Sequence, residues 1–148
     1  MDNAVKKFRS LRFAWNKKPR ADKELYRLAR RLKVKIQEMP LKVPGFYMKM
    51  RGVYFIAINE RLNEELKLKI KFHELAHHIL HTGQPHFYLL DPTMKEECEA
   101  EVFALCCMIP LTWVKTKTIR ELHEDYGFSL RLIHERKDIH EQYKRFKV

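Results

Sequence analysis

Apolar residues recur at helical spacing twice before residue 33. Phe8, Leu11 and Trp15 stand three and four apart with Arg9 and Arg12 between them, which predicts a short amphipathic helix before Pro19. In DKELYRLARRL, residues 22–32, Leu25, Leu28, Ala29 and Leu32 form one stripe, and Asp22 is placed to cap its start. From 33 to 59 the period changes. VKIQE, GFYMKM and VYFIAIN are short, aromatic and β-branched, divided by MPLKVPG and by Arg51-Gly52. They predict a small three-stranded antiparallel sheet whose last two strands form a tight hairpin. Asn63 then caps a helix with Glu64 and Glu65 in its first turn and Gly83 at its end. A second long helix starts with Asp91 as cap and Pro92 at its first position, and Pro110 stops it. The tail from 111 holds two helical segments divided at Gly127. The expected class is α+β: a small sheet packed on one long helix, a second helix beside it, and helical segments at both ends.

A chain of 148 residues is long enough to bury one substantial core and too short for two independent ones, so residues 1–148 are expected to form a single domain. Within it, residues 1–20 read as a basic extension and 111–148 as a helical cap. No apolar run approaches the roughly 20 residues needed to cross a bilayer, which points to a soluble protein without a membrane partner. The amino terminus lacks a secretory pattern and the three cysteines lack disulfide-framework spacing, so the expected compartment is the cytoplasm. The net charge of +11 is uneven: residues 1–35 carry 13 Lys and Arg against 3 Asp and Glu, and residues 36–112 carry 8 against 10. Any nucleic-acid contact therefore belongs to the first segment and is secondary, the bland alternative being a solvated basic face.

The stretch KFHELAHHILH, residues 71–81, changes the picture. Residues four apart on a helix lie one turn apart on one face, so His73 and His77 can turn a ring nitrogen to a single point at zinc-ligand distance. Glu74 stands beside that point, placed to take a proton from water that the dication acidifies. Phe72, Leu75, Ala76, Ile79 and Leu80 supply the core face that would fix this helix. A catalytic zinc needs a third protein ligand and an open position. The segment KEECEAE, residues 95–101, supplies candidates in Glu97, Glu99 and Glu101. Glu97 and Glu101 share a face, so Glu97 would bind zinc while Glu101 accepts a hydrogen bond from the outer nitrogen of a ligating histidine. Ala100 and Ala104 would let the two helices approach closely. Alone, this segment would read as a solvated acidic face.

Other residues carry weaker readings. His78 and His81 flank the motif and fit supporting or solvent-facing roles better than ligand roles. His86, Tyr88, His123 and Tyr126 are candidates for a donor to a transition-state oxyanion. Cys98, Cys106 and Cys107 fit packing better than metal binding, since structural zinc sites favour separated cysteine pairs. The strand VYFIAIN could serve as an edge strand pairing with an extended substrate, or be an ordinary half-buried strand.

Over residues 22–145 the order of elements and motifs resembles the ImmA/IrrE metallopeptidases, whose site layout is gluzincin-like. The match rests on PGFYMKMRGVYFIAIN, on FHELAHHILH and on ECEAEVFALCCMIP, where Glu97, Ala100, Phe103, Ala104 and Met108-Ile109-Pro110 follow the family pattern. By that match Glu97 is the third ligand. The chain departs at Glu101, where the family has Asn or Asp. The resemblance implies a cytoplasmic zinc peptidase, common on phages and mobile elements, whose protein partner and substrate is a helix-turn-helix repressor. Two other classes of function compete: a non-cleaving anti-repressor that keeps the fold, and a DNA-associated regulator acting through its basic amino-terminal segment.

Overall fold

The computed structural model describes residues 1–81 and 93–148, the side chain of His81 excepted. In chain order these residues form α1 (Asp2–Ser10), α2 (Asp22–Arg31), β1 (Val34–Met39), β2 (Gly45–Met50), β3 (Val53–Asn59), α3 (Glu64–His81), α4 (Met94–Met108), α5 (Leu111–Thr116), α6 (Ile119–Glu124), α7 (Leu130–Gln142) and a last 3-10 turn, Lys144–Phe146. They divide into two compact units, residues 20–104 and residues 1–19 with 105–148.

In the unit of residues 20–104 the sheet has the order β1-β3-β2. β2 and β3 form the expected antiparallel hairpin. Arg51 (φ +49°) and Gly52 (φ +78°) give the two successive left-handed residues that a two-residue hairpin turn requires. β1, however, runs parallel to β3, Val34 opposite Tyr54 through Met39 opposite Asn59. The sheet is therefore mixed, which corrects the antiparallel arrangement expected from the strand pattern. The cause is the connection of residues 40–44, which crosses the end of β3 instead of turning back beside β1. Asn59 fixes that crossing: its N–H donates to the Pro44 carbonyl (2.9 Å) and its Nδ2 to the Leu41 carbonyl (3.1 Å), while the Glu60 N–H donates to Met39 (3.0 Å). A second correction follows. β3 is central and paired on both sides, so it cannot add a substrate strand; among the described residues β1 and β2 are the edges.

α2 buries Leu25, Leu28 and Ala29. Its cap is Ala21, whose N–H donates to Glu24 Oε2 at 3.0 Å, so Asp22 is the first helical residue rather than the cap, and its carboxylate faces Lys71 Nζ at 3.4 Å. α3 starts as expected, with Asn63 Oδ1 accepting from the Leu66 N–H at 2.9 Å. It lies against β2 and β3 so closely that a Cβ on Gly45 would stand 2.8 Å from Ile70 Cγ2 and 2.9 Å from the Ala57 carbonyl oxygen. Ile56, Ile58, Phe72, Leu75, Ala76, Ala100, Phe103 and Ala104 are buried, and the rings of Phe72 and Phe103 meet edge to face at 6.3 Å, joining α3 to the first part of α4. Thr93 and Glu96 cap α4 reciprocally, Thr93 Oγ1 accepting from the Glu96 N–H (3.2 Å) and Glu96 Oε2 from the Thr93 N–H (2.6 Å). The expected caps Gly83, Asp91 and Pro92 lie outside the described residues.

In the unit of residues 1–19 and 105–148, α1 buries Ala4, Val5 and Phe8, and the Phe8 ring meets that of Trp15 at 5.1 Å. The helix stops at Ser10, before the apolar positions Leu11 and Trp15, because Leu11 already has extended backbone (φ −65°, ψ 135°); Ala14 (φ +52°) and Asn16 (φ +62°) then turn the chain through left-handed backbone. α5, six residues long, is too short to leave a periodic signal in the sequence. α6 and α7 are capped by Thr118 and Ser129, with Gly127 (φ +75°) between them. Among the described residues, no helix is long and apolar enough to cross a membrane.

Candidate metal centre

The first half of α3 fixes its direction across the sheet, and its second half carries His73 and His77 on one side. α4 lays Glu97 across both rings. His77 Nε2 lies 2.9 Å from Glu97 Oε1, His73 Nε2 lies 3.2 Å from Glu97 Oε2, and the two Nε2 atoms are 3.3 Å apart. His73, His77 and Glu97 each offer one ligand atom within 4.8 Å of the others, a group that could hold a metal ion. Four ligands placed tetrahedrally at about 2.0–2.1 Å from a zinc ion stand roughly 3.3–3.4 Å apart. The observed separations are near that edge length, and two imidazoles with one carboxylate are a donor set that leaves a fourth position open. The residues present therefore fit a divalent cation.

The surroundings are those of a cation site. Burial works against a charge on His73, but the hydrogen bond to Glu101 and the fields of Glu74, Glu97 and Glu101 outweigh it and raise its pKa. Burial pushes the half-buried Glu74 carboxyl up to about 7, with His73 opposing and Glu97 adding to the shift. Glu101 accepts from His73 Nδ1 at 3.2 Å through Oε2 and meets Lys69 Nζ at 2.6 Å through Oε1. Burial would raise its pKa, yet these two partners hold it below the ordinary value. A histidine whose outer N–H is held this way presents the lone pair of its other nitrogen to a metal.

Of the residues picked out by pattern, the structure brings together His73, His77, Glu97 and Glu101, with Glu74 beside them on α3. Glu99 is buried but is not part of the group. His78 points the other way: its Nδ1 accepts from the Tyr47 hydroxyl at 2.7 Å and its ring donates to the Leu32 carbonyl. Burial pulls its pKa down to about 4, so it is a neutral tie between α3, β2 and the end of α2. Cys106 and Cys107 are buried free thiols and Cys98 is exposed. Burial pushes the Cys106 thiol up to about 11, which suits a packing residue. Of the oxyanion candidates, His86 and Tyr88 lie outside the described residues. His123 Nδ1 donates to the Phe128 carbonyl at 2.7 Å, and the Tyr126 ring packs on Trp113 at 4.3 Å.

Two participants escaped the sequence reading. Lys69 had a signal, since it stands four residues before His73 and continues the ligand face down the helix. Tyr47 had none, because its partner lies 31 residues away on another element.

Comparison with protein families matches residues 29–137 to the model of Peptidase_M78, the IrrE N-terminal-like domain. No curated protein and no solved structure matches the chain. The matched span includes the three strands, α3 with both histidines, α4 with its carboxylates and most of α7, so the chain belongs to the Peptidase_M78 family of IrrE N-terminal-like metallopeptidase domains.

Proposed function

We propose that this protein is a zinc-dependent endopeptidase, and that its substrate is a helix-turn-helix transcriptional repressor. The observation that carries the first part is the convergence of His73 Nε2, His77 Nε2 and the Glu97 carboxylate on one point, in a chain of this family. The second part rests on the resemblance to repressor-cleaving relatives.

His73, His77 and Glu97 would hold the ion. When bound, a dication of this kind acidifies water and polarises a carbonyl. Glu74 accepts the proton of the attacking water and delivers it to the leaving amide nitrogen as the C–N bond breaks, so one carboxyl serves as base and then acid. Its half-buried position on the rigid helix α3 keeps it at hand for both transfers. Glu101, held by Lys69, keeps the Nδ1 proton of His73 in place and so orients the ring. Phe72 and Phe103 lock the two ligand helices at the spacing this needs.

The test is to incubate a purified helix-turn-helix repressor with the metal-loaded protein and with its Glu74→Gln variant, and to resolve the products on a gel. Fragments with the first and none with the second, at equal metal content, support the reading. Equal cleavage by both removes Glu74 from the mechanism. Derepression in cells by Glu74→Gln would instead support an anti-repressor that sequesters without cutting.

A further inference from the structure

The unit formed by residues 1–19 and 105–148 encloses a cavity of about 310 Å³, lined by Arg9, Ala14, Trp15, Asn16, Lys17, Leu111 and Lys147. Among the described residues its ionisable linings are Arg9, Lys17 and Lys147, all cationic. Three like charges around one concavity repel one another, and a concave low-dielectric wall concentrates their field on whatever enters. Among the described residues, neither Lys17 nor Lys147 is paired with a carboxylate, and the Arg9 guanidinium donates to the Phe146 carbonyl at 2.8 Å.

The cavity is also built rather than incidental. Its backbone contains Ala14 (φ +52°), Asn16 (φ +62°) and Lys147 (φ +56°), three of the five non-glycine residues with left-handed φ among those described. Such conformations cost energy and persist where surrounding contacts over-determine them. Asn16 supplies those contacts. Its Oδ1 accepts from the Leu111 N–H (2.8 Å) and from Arg136 Nη2 (3.3 Å), and its Nδ2 donates to the Lys147 carbonyl (3.2 Å). Arg136 is fully buried behind Asn16; its Nε donates to the Ile109 carbonyl at 2.7 Å, and its Nη1 has no partner among the described residues. A fourth positive charge thus stands behind the wall, paired with no carboxylate among the described residues.

We infer that this cavity is an anion-binding site for a small phosphate-bearing ligand. A monocarboxylate leaves most of the cationic charge unbalanced, whereas a phosphate or pyrophosphate group brings two or more negative charges and several acceptor oxygens to the guanidinium and the two ammonium groups. A volume near 300 Å³ is at the lower end of small-molecule pockets and takes such a group with a modest organic remainder. Except for Leu111, every lining residue lies outside the stretch matched by the family model, so the site belongs to the flanking segments of this chain and is separate from the metallopeptidase reading.

Inorganic pyrophosphate is the probe, titrated into the 148-residue chain by calorimetry at fixed ionic strength. Saturable binding near one per chain is expected, weakened about tenfold or more in Lys17→Gln/Lys147→Gln and changed less than about twofold in Lys6→Gln/Lys115→Gln, which removes the same charge from exposed positions outside the cavity. Thermal melts of both double variants verify that each is folded. No saturable binding at millimolar pyrophosphate overturns the inference. So does an equal loss in both variants, or tighter binding of duplex DNA weakened equally by both, since either result describes a diffuse basic face.

Discussion

The ammonium of Lys69 stands 2.6 Å from a carboxylate oxygen of Glu101, and that carboxylate spends its other oxygen on the outer nitrogen of His73. The lysine occupies the carboxylate oxygen that the bond to His73 leaves over. Lys69→Met should therefore weaken zinc binding about tenfold, the low end of what losing an outer-shell partner costs. Lys69→Arg should keep most of the affinity. Competition against a chromogenic chelator measures both, and an unchanged affinity in Lys69→Met would show that Glu101 holds His73 without help.

Tyr47→Phe removes the donor to His78 Nδ1 in a buried contact between β2 and α3. Leaving a buried acceptor unsatisfied costs about 1–3 kcal/mol. Urea denaturation should show a loss in that range with an unchanged slope, and zinc stoichiometry should be retained.

Gly45→Ala places a methyl 2.8 Å from Ile70 Cγ2 and 2.9 Å from a backbone oxygen on β3. The oxygen cannot move without disturbing the central strand, and Ile70 presses back on α3, so both the strand pairing and the helix must give. A destabilisation of about 1–3 kcal/mol is expected, as for other overpacked contacts. Because α3 carries both histidines, zinc affinity should fall with it; a variant as stable as the parent would mean that the helix adjusts freely.

Glu38 faces Lys67 at 3.1 Å and Lys71 at 3.7 Å. The Lys67 hydrogen bond, against the effect of burial, holds the Glu38 carboxyl below the ordinary 4.5. A carboxyl with a depressed folded-state pKa stabilises the fold above its unfolded value and loses that contribution as pH falls through the folded one. Lys67 is shifted upward from 10.5, chiefly by Glu38, so its share is present below that value and lost as pH rises through the folded one. The melting-temperature gap between the parent and Glu38→Gln should be flat near neutrality and close on the acid side below 4.5. A gap independent of pH there would place the effect of the substitution in packing instead of charge.

What could be read from the chain was what depends on neighbours in sequence. The facing of His73 and His77 follows from helical geometry alone, the Asn63 cap from one side chain and the next turn, and the hairpin from Arg51-Gly52 between two alternating runs. The parallel pairing of β1 was hidden because it is decided by how residues 40–44 cross β3 and by the side chain of Asn59, neither of which leaves a periodic trace. The tie between Tyr47 and His78, and the burial of Arg136 behind Asn16, are likewise contacts across long separations that only a folded chain defines.

The central claim is that His73, His77 and Glu97 share one zinc ion and that Glu74 does not bind it. Metal content per chain, measured by inductively coupled plasma mass spectrometry after dialysis against buffered zinc, tests this most directly. The account predicts one zinc in the parent and in Glu74→Gln, and its loss in His73→Ala, His77→Ala and Glu97→Ala. Full zinc occupancy in Glu97→Ala, or none in the parent, would contradict it.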